Sequence, residues 1–195
     1  LYMGITANLT RFISINACFD RFEFPWLKYQ VDAPSKGNDL NAQLSYLPSK
    51  KLSAVFRYRK RYQQKNTRNE IPLRYLSSVH SENYRFSISY SGTKELTLRN
   101  RIELMRYKRE AETQTGYLIY QDIFYKPGSS FSATLRYALF QTDSYDSRLY
   151  EYENDIPGSY SIPSFYDRGS RSYILLNYSV TKYVEMWLRY AQTFY

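Results

Sequence analysis

Apolar and polar residues alternate along most of this chain with a period of two. Between Glu82 and Ser91, Tyr84, Phe86, Ile88 and Tyr90 fall on one side, and Asn83, Arg85, Ser87, Ser89 and Ser91 on the other. Successive side chains of a strand point to opposite faces, so the segment predicts a strand with one apolar and one polar face. Leu96, Leu98, Ile102 and Leu104 repeat the pattern against Thr97, Arg99, Arg101 and Glu103, with Asn100 a polar intruder on the apolar side. Ala54, Phe56 and Tyr58 alternate with Ser53, Arg57, Arg59 and Arg61. Near the end, Val184, Met186, Leu188 and Tyr190 alternate with Glu185, Arg189 and Thr193, and Trp187 falls on the polar side.

The periodicity predicts about ten strands, at 2–9, 11–24, 38–47, 52–65, 80–92, 95–108, 115–126, 131–143, 170–180 and 183–195. Several reach the roughly 9–11 residues with which a tilted strand crosses a bilayer. Short turns are expected around Leu9-Thr10-Arg11, Pro48-Ser49-Lys50, Gly92-Thr93-Lys94, Pro127-Gly128-Ser129 and Thr181-Lys182. Longer polar links are expected at 25–37, 66–79 and 144–169, with a modest one at 109–114, so that short and long alternate without exception. Outer-membrane barrels sort their connections in this way, with tight periplasmic turns and longer extracellular loops. A soluble sandwich has no reason to do so. Tyr107, Tyr125, Tyr137, Tyr178, Tyr190 and Tyr195 lie at or near predicted strand ends, where aromatic girdles sit, although Tyr is also a good strand residue in its own right.

Composition sharpens this picture. The chain has 23 Tyr against 7 Gly and 7 Pro, and 18% of its residues are aromatic. A mean hydropathy of -0.60 is compatible with a membrane barrel, because half of each spanning strand faces a polar lumen. No apolar run approaches the roughly 18–20 residues of a transmembrane helix, which excludes a helical membrane protein. The net charge of +9 suggests an acidic partner such as nucleic acid, lipopolysaccharide phosphate or an anionic solute, or else a lumen that stores arginine opposite carboxylates. Cys18 stands alone, so neither an internal disulfide nor a thiol metal site is expected.

The expected fold is therefore all-β, a single antiparallel transmembrane β-barrel segment in the outer membrane of a Gram-negative bacterium. Lipid offers no partner to an open sheet edge, so the strands must close with one another or with strands from elsewhere. Residue 1 and Tyr195 both fall on the rim of the long links, opposite to the usual periplasmic position of barrel termini. The expectation is a piece of a larger barrel whose remaining strands belong to a larger parent chain. Any secretion signal is expected upstream of Leu1-Tyr2-Met3, where no charged region precedes an apolar one.

Candidate chemistry concentrates on the polar face. Arg57, Arg59, Arg61, Arg85, Arg99, Arg101, Arg136, Arg171 and Arg189 are expected to line the lumen, with Asp20, Glu103, Asp122 and Glu185 as acidic partners. Arginine pairs with carboxylates in planar bidentate geometry, which suits charge ladders across neighbouring strands. The same lining suits an anion-attracting pore or a conduit for DNA. The 144–169 link is acidic, with Asp146, Glu151, Glu153, Asp155 and Asp167 against Arg148 and Arg168. The 57–74 stretch is basic, adding Lys60, Lys65, Arg68 and Arg74 to the arginines above with only Glu70 opposing. At the extracellular rim the two would close over one another, or the basic one would grip lipopolysaccharide phosphates, or both would be solvated charge.

Enzyme signals are poor. His80, near Ser78 and Ser81, is the sole histidine, and a surface histidine at a strand start explains it better than a rim active site. Phosphate-loop, metal-ligand and nucleophile-elbow motifs are missing, so no enzyme and no cofactor are expected.

The stretch Phe22-Glu23-Phe24-Pro25-Trp26-Leu27-Lys28-Tyr29, running into Val31-Asp32-Ala33-Pro34-Ser35, resembles a recurring segment of a Bacteroidetes family. So does Arg168-Gly169-Ser170-Arg171 followed by Trp187-Leu188-Arg189-Tyr190-Ala191-Gln192-Thr193. These are large proteins with a small helix-hairpin-helix region ahead of a long C-terminal β-barrel. The resemblance covers nearly the whole chain and implies a barrel region lacking the final loop and closing strand. It implies DNA binding only through the helix-hairpin-helix part, by analogy with competence proteins, and no such motif lies in this sequence. It carries over no catalytic residue. The working expectation is a structural or transport barrel with a basic interior for an anionic solute or DNA, surrounded by membrane lipid and lipopolysaccharide. The rival is a soluble antiparallel β-domain that binds carbohydrate through a Tyr-rich surface.

Overall fold

The computed structural model describes residues 1–67 and 75–195. Among them, ten long strands form one antiparallel sheet in sequence order: β1 (Tyr2–Asn8), β2 (Ile13–Phe24), β3 (Ser35–Tyr46), β4 (Leu52–Asn66), β5 (Leu76–Ser91), β6 (Leu96–Arg109), β7 (Glu112–Tyr125), β8 (Phe131–Thr142), β11 (Arg168–Thr181) and β12 (Val184–Phe194). Two short strands, β9 (Leu149–Tyr150) and β10 (Ser164–Phe165), pair with each other inside the connection between β8 and β11. The sheet is not closed into a barrel: β1 and β12 are its two edges. No described helix is long and apolar enough to cross a membrane, which says nothing about strands.

Antiparallel partners share a face, so the register sorts the sheet into two sides. One is apolar. A single cross-strand row on it runs Ala7, Ile15, Leu44, Phe56, Phe86, Ile102, Ile119 and Leu139 from β1 to β8. The last six of these are 41–47% exposed. The opposite side carries the arginines and is called the arginine face below. Asn100 lies on the apolar side between Ile88 and Gln121, and Trp187 on the arginine side opposite Asn177.

Tyrosine marks one rim of the apolar side with a repeated register. Ile13 faces Tyr46, Leu52 faces Tyr90, Leu96 faces Tyr125 and Phe131 faces Tyr178, each pair beside a short turn. A second tyrosine row, Tyr58, Tyr84 and Tyr117, lies toward the other rim, interrupted by Leu104. Immediately beyond it the side turns charged, with Lys60, Glu82 and Arg106 in register.

The connections depart from strict alternation at one place. The 109–114 link shrinks to Glu110 and Ala111, with Glu110 at a φ of 57° closing a tight turn between Arg109 and Glu112. Thr113 helps lengthen β7 backward to Glu112, because β-branched threonine fits a strand despite its polarity. By the same logic β5 begins at Leu76 and β3 at Ser35, earlier than their polar residues suggest. The other long connections persist at 25–34, at 67–75 (partly beyond the described residues) and at 143–167. Asn66 ties the first of them down: its N–H donates to Gln30 O, its Oδ1 accepts from Asp32 N at 3.0 Å, and its carbonyl accepts from Arg109. Val31 is thereby buried.

Candidate functional site: the arginine face

The register places all nine candidate arginines on one side of the sheet. What neutralises them differs from the expected ladder of strand carboxylates. Only two of the four expected acidic partners engage an arginine. Glu103 accepts from Arg85 Nε at 2.6 Å and from Asn83 Nδ2 at 2.7 Å. Asp122, fully buried, holds Arg136 by two hydrogen bonds of 2.5 and 2.8 Å. Arg136 also stacks on Tyr120 at 3.9 Å and donates to Tyr152 O.

Asp20 and Glu185 lie on the same side but form no ion pair among the described residues. Asp20 sits across from Asp39, and Asp39 takes Arg59, at 2.5 Å, with Arg61 at 3.9 Å. Glu185 sits at the short-turn end of β12 opposite Ser179, out of reach of Arg189.

The missing carboxylates come from the 143–167 connection, which does not lie as solvated charge at the rim. It folds back over the arginine face. Glu153 is completely buried and grips Arg171 through both oxygens, at 2.7 and 2.9 Å, while Arg189 Nη2 reaches it at 2.5 Å. Asp155 lies 3.6 Å from Arg189. Glu151 meets Arg101 at 2.6 Å and Arg85 at 3.6 Å.

Apolar packing seats the same segment. Leu149 and Phe165, on its two short strands, join Leu118, Tyr120, Ala138 and Phe140 of β7 and β8 in one buried cluster. Glycine at 116 makes room for it, since a Cβ there would lie 2.5 Å from Ser147 O and 3.2 Å from Leu149 Cδ1. A one-turn 3₁₀ segment, Tyr145–Ser147, capped by Ser144, starts the descent. The alternation Leu149-Tyr150-Glu151-Tyr152-Glu153 was the sequence signal for this docking. Its period of two sends both glutamates to one side.

The filled and open halves of the face therefore differ. Toward β8, β11 and β12 the arginines are satisfied beneath the acidic segment. Toward β1, β2 and β3, apart from Asp20 and Asp39, the face carries small neutral groups such as Thr6, Asn16, Cys18 and Asn41. Between them, along β4, β5 and β6, lies a cleft of about 360 Å³ bordered by Arg57, Arg85, Arg99 and Arg101. Among the described residues, Arg57 donates only to Gln43 Oε1, at 3.0 and 3.3 Å. Arg99 approaches Asp122 no closer than 4.0 Å, and that carboxylate already serves Arg136.

The expected contact between the acidic link and the 57–74 stretch is present in part: Asp146 of the link attracts the Lys65 ammonium, and Arg57, Arg59 and Arg61 border a cleft with Arg148 and Tyr150; Arg68, Glu70 and Arg74 lie outside the described residues. His80 is exposed on the apolar side with its ring 5.0 Å from that of Tyr62. Ser81 points to the opposite side, opposite Arg61, and Ser78 bonds Tyr62 instead. Among the described residues, no group of His, Cys, Asp and Glu is arranged to hold a metal. Compared with family models, with curated proteins and with solved structures, the chain matches none.

Proposed function

We propose that this chain supplies ten consecutive strands of an integral outer-membrane β-barrel of a Gram-negative bacterium. Its apolar side faces lipid, and its arginine face lines a polar lumen that holds or passes an anionic solute. The observation that carries the reading is the continuous apolar side. Soluble monomers rarely expose a contiguous apolar patch above a few hundred Å². Here alternate residues of strand after strand present Leu, Ile, Phe and Tyr, and no described segment packs over the central row.

Other features support it. The two tyrosine rows bracket the apolar band, and on β7 they are Tyr117 and Tyr125, separated by roughly 26 Å at about 3.3 Å per residue. Charge begins just past the upper row, at Lys60, Glu82 and Arg106, where lipopolysaccharide headgroups would lie. The unpaired edges of β1 and β12 would be costly in a bilayer, so closing strands come from a longer parent chain or another copy. The rival carbohydrate-binding reading needs aromatics gathered around a groove, whereas these form rows along the rims. The resemblance to the helix-hairpin-helix family adds DNA to the candidate anions.

The test is to express the full-length parent, fractionate the membranes and examine migration on a gel with and without boiling. Heat-modifiable migration in the outer-membrane fraction is expected. A protein recovered in water without detergent would overturn the reading.

A further inference from the structure

Four guanidinium groups converge on the cleft along β4, β5 and β6, and their charges are unequally met. Arg57 and Arg85 are direct cross-strand partners. Like charges in that position destabilise a sheet, so something should compensate them. Glu103 is hydrogen-bonded to Arg85 and acts on Arg57 only through its charge. Arg99 keeps 41% of its side chain exposed and shares a carboxylate saturated by Arg136. Arg101 is held by Glu151 and by Ser87 Oγ at 2.8 Å. Among the described residues, two positive charges, on Arg57 and Arg99, thus lack a carboxylate of their own.

Ser87 and Ser89 lie between them, opposite Arg101 and Arg99 respectively, and add hydroxyl donors. Planar guanidinium forks beside hydroxyls suit a tetrahedral oxyanion with several acceptor oxygens. Two uncompensated charges call for a dianion rather than a single carboxylate.

We propose that this cleft binds the phosphate group of a small solute, bridging Arg57 and Arg85 and held by Arg99, Ser87 and Ser89. Glu151 is the internal competitor. It reaches into the same arginine cluster from a docked connection, and one of its oxygens, Oε2, is buried without a hydrogen bond among the described residues. Lipid is a poor source of the phosphate, because the cleft opens on the side opposite the apolar rows. The site deepens the barrel reading and rests on it for the claim that this face is a lumen.

The experiment is calorimetric titration of the full-length protein in detergent with inorganic pyrophosphate, with malonate as a dicarboxylate comparison, at fixed salt. Arg57→Gln and Arg99→Gln should each weaken pyrophosphate binding at least about tenfold, the loss of one charge-assisted contact. Glu151→Gln should strengthen it severalfold, which a merely structural role for Glu151 would not do. Lys94→Gln, in a short turn, should change nothing. Absence of pyrophosphate binding to the wild type would overturn the proposal. So would affinities of both arginine variants within about twofold of wild type, or malonate bound as tightly. Heat-modifiable migration of each variant reads the barrel separately. A folded membrane protein that ignores pyrophosphate sinks only the site, and a water-soluble one that binds it sinks only the barrel.

Discussion

Arg57 and Arg85 stand directly opposite each other on β4 and β5, on one face of the sheet, yet a single strand carboxylate, Glu103, is bonded to only one of them. The arrangement costs stability in return for an unfilled positive site. Replacing Arg57 with glutamine should raise stability by about 0.2–1 kcal/mol at low salt, the usual size of a cross-strand like-charge penalty. The gain should shrink in high salt as the repulsion is screened. Urea unfolding midpoints of wild type and variant at two salt concentrations check this. A destabilised variant would mean that Arg57 is chiefly a packing residue.

The Asp122–Arg136 pair is the opposite case. Both groups are buried and doubly bonded to each other. Asp122→Asn leaves a buried guanidinium without its counter-charge, a change that costs about 3–5 kcal/mol. Substituting both partners together by Leu and Met should cost much less than the sum of the single changes. The temperature at which gel migration shifts on heating, compared across the two singles and the double, measures this coupling.

Docking of the 143–167 connection rests on Glu153 and on the space above Gly116. Glu153→Gln weakens two arginine contacts, and Gly116→Val fills the seat of Ser147 and Leu149. Either change should release the segment while leaving the ten-stranded sheet intact. Hydrogen exchange should then rise by one to two orders of magnitude at residues 149–165, roughly the cost of losing one charged hydrogen bond. Unaltered protection in both variants would show that the segment is held elsewhere.

Asp143, just beyond β8, accepts hydrogen bonds from the Thr115 backbone N–H at 2.7 Å and from its hydroxyl at 2.8 Å. These bonds, the backbone one first, hold its carboxyl below the ordinary value of 3.8. A lowered carboxyl stabilises the folded state at pH values above that figure, and the contribution disappears as pH falls through the lower folded value. Protection of the Thr115 amide should therefore be flat from neutral pH to about 4 and drop below it. Thr115→Val should shift the drop upward in pH, as carboxyl-resolved NMR titration would report.

Much of the sheet was legible because its signal is local. Alternation places Arg57, Arg59 and Arg61 on one side of β4 wherever β4 lies, and the register follows from short turns. Strand starts at Ser35, Leu76 and Glu112 were less legible. Polar residues such as Lys36, Ser77 and Thr113 read as loop until neighbouring strands supply their hydrogen bonds. The candidate site was half legible. Which face the arginines share follows from parity, but which carboxylates reach them does not. Glu151 and Glu153 meet Arg101 and Arg171 only because the long connection folds back over β7 and β8, a tertiary choice driven by Leu149 and Phe165 finding an apolar floor. Asp39 could have been found, since it alternates with Leu40 as Asn41 and Gln43 do.

The central claim is that the apolar side meets lipid, and spin-label accessibility along β7 tests it most directly. In a Cys18→Ser background, single nitroxides at consecutive positions from Leu118 to Phe124 would be measured in bilayers against oxygen and a water-soluble nickel chelate. The account predicts high oxygen and low nickel accessibility at Ile119, Gln121 and Ile123, alternating with low oxygen accessibility at Leu118, Tyr120 and Asp122. Free access of the nickel chelate to Ile119, Gln121 and Ile123 would place that side in water and contradict it.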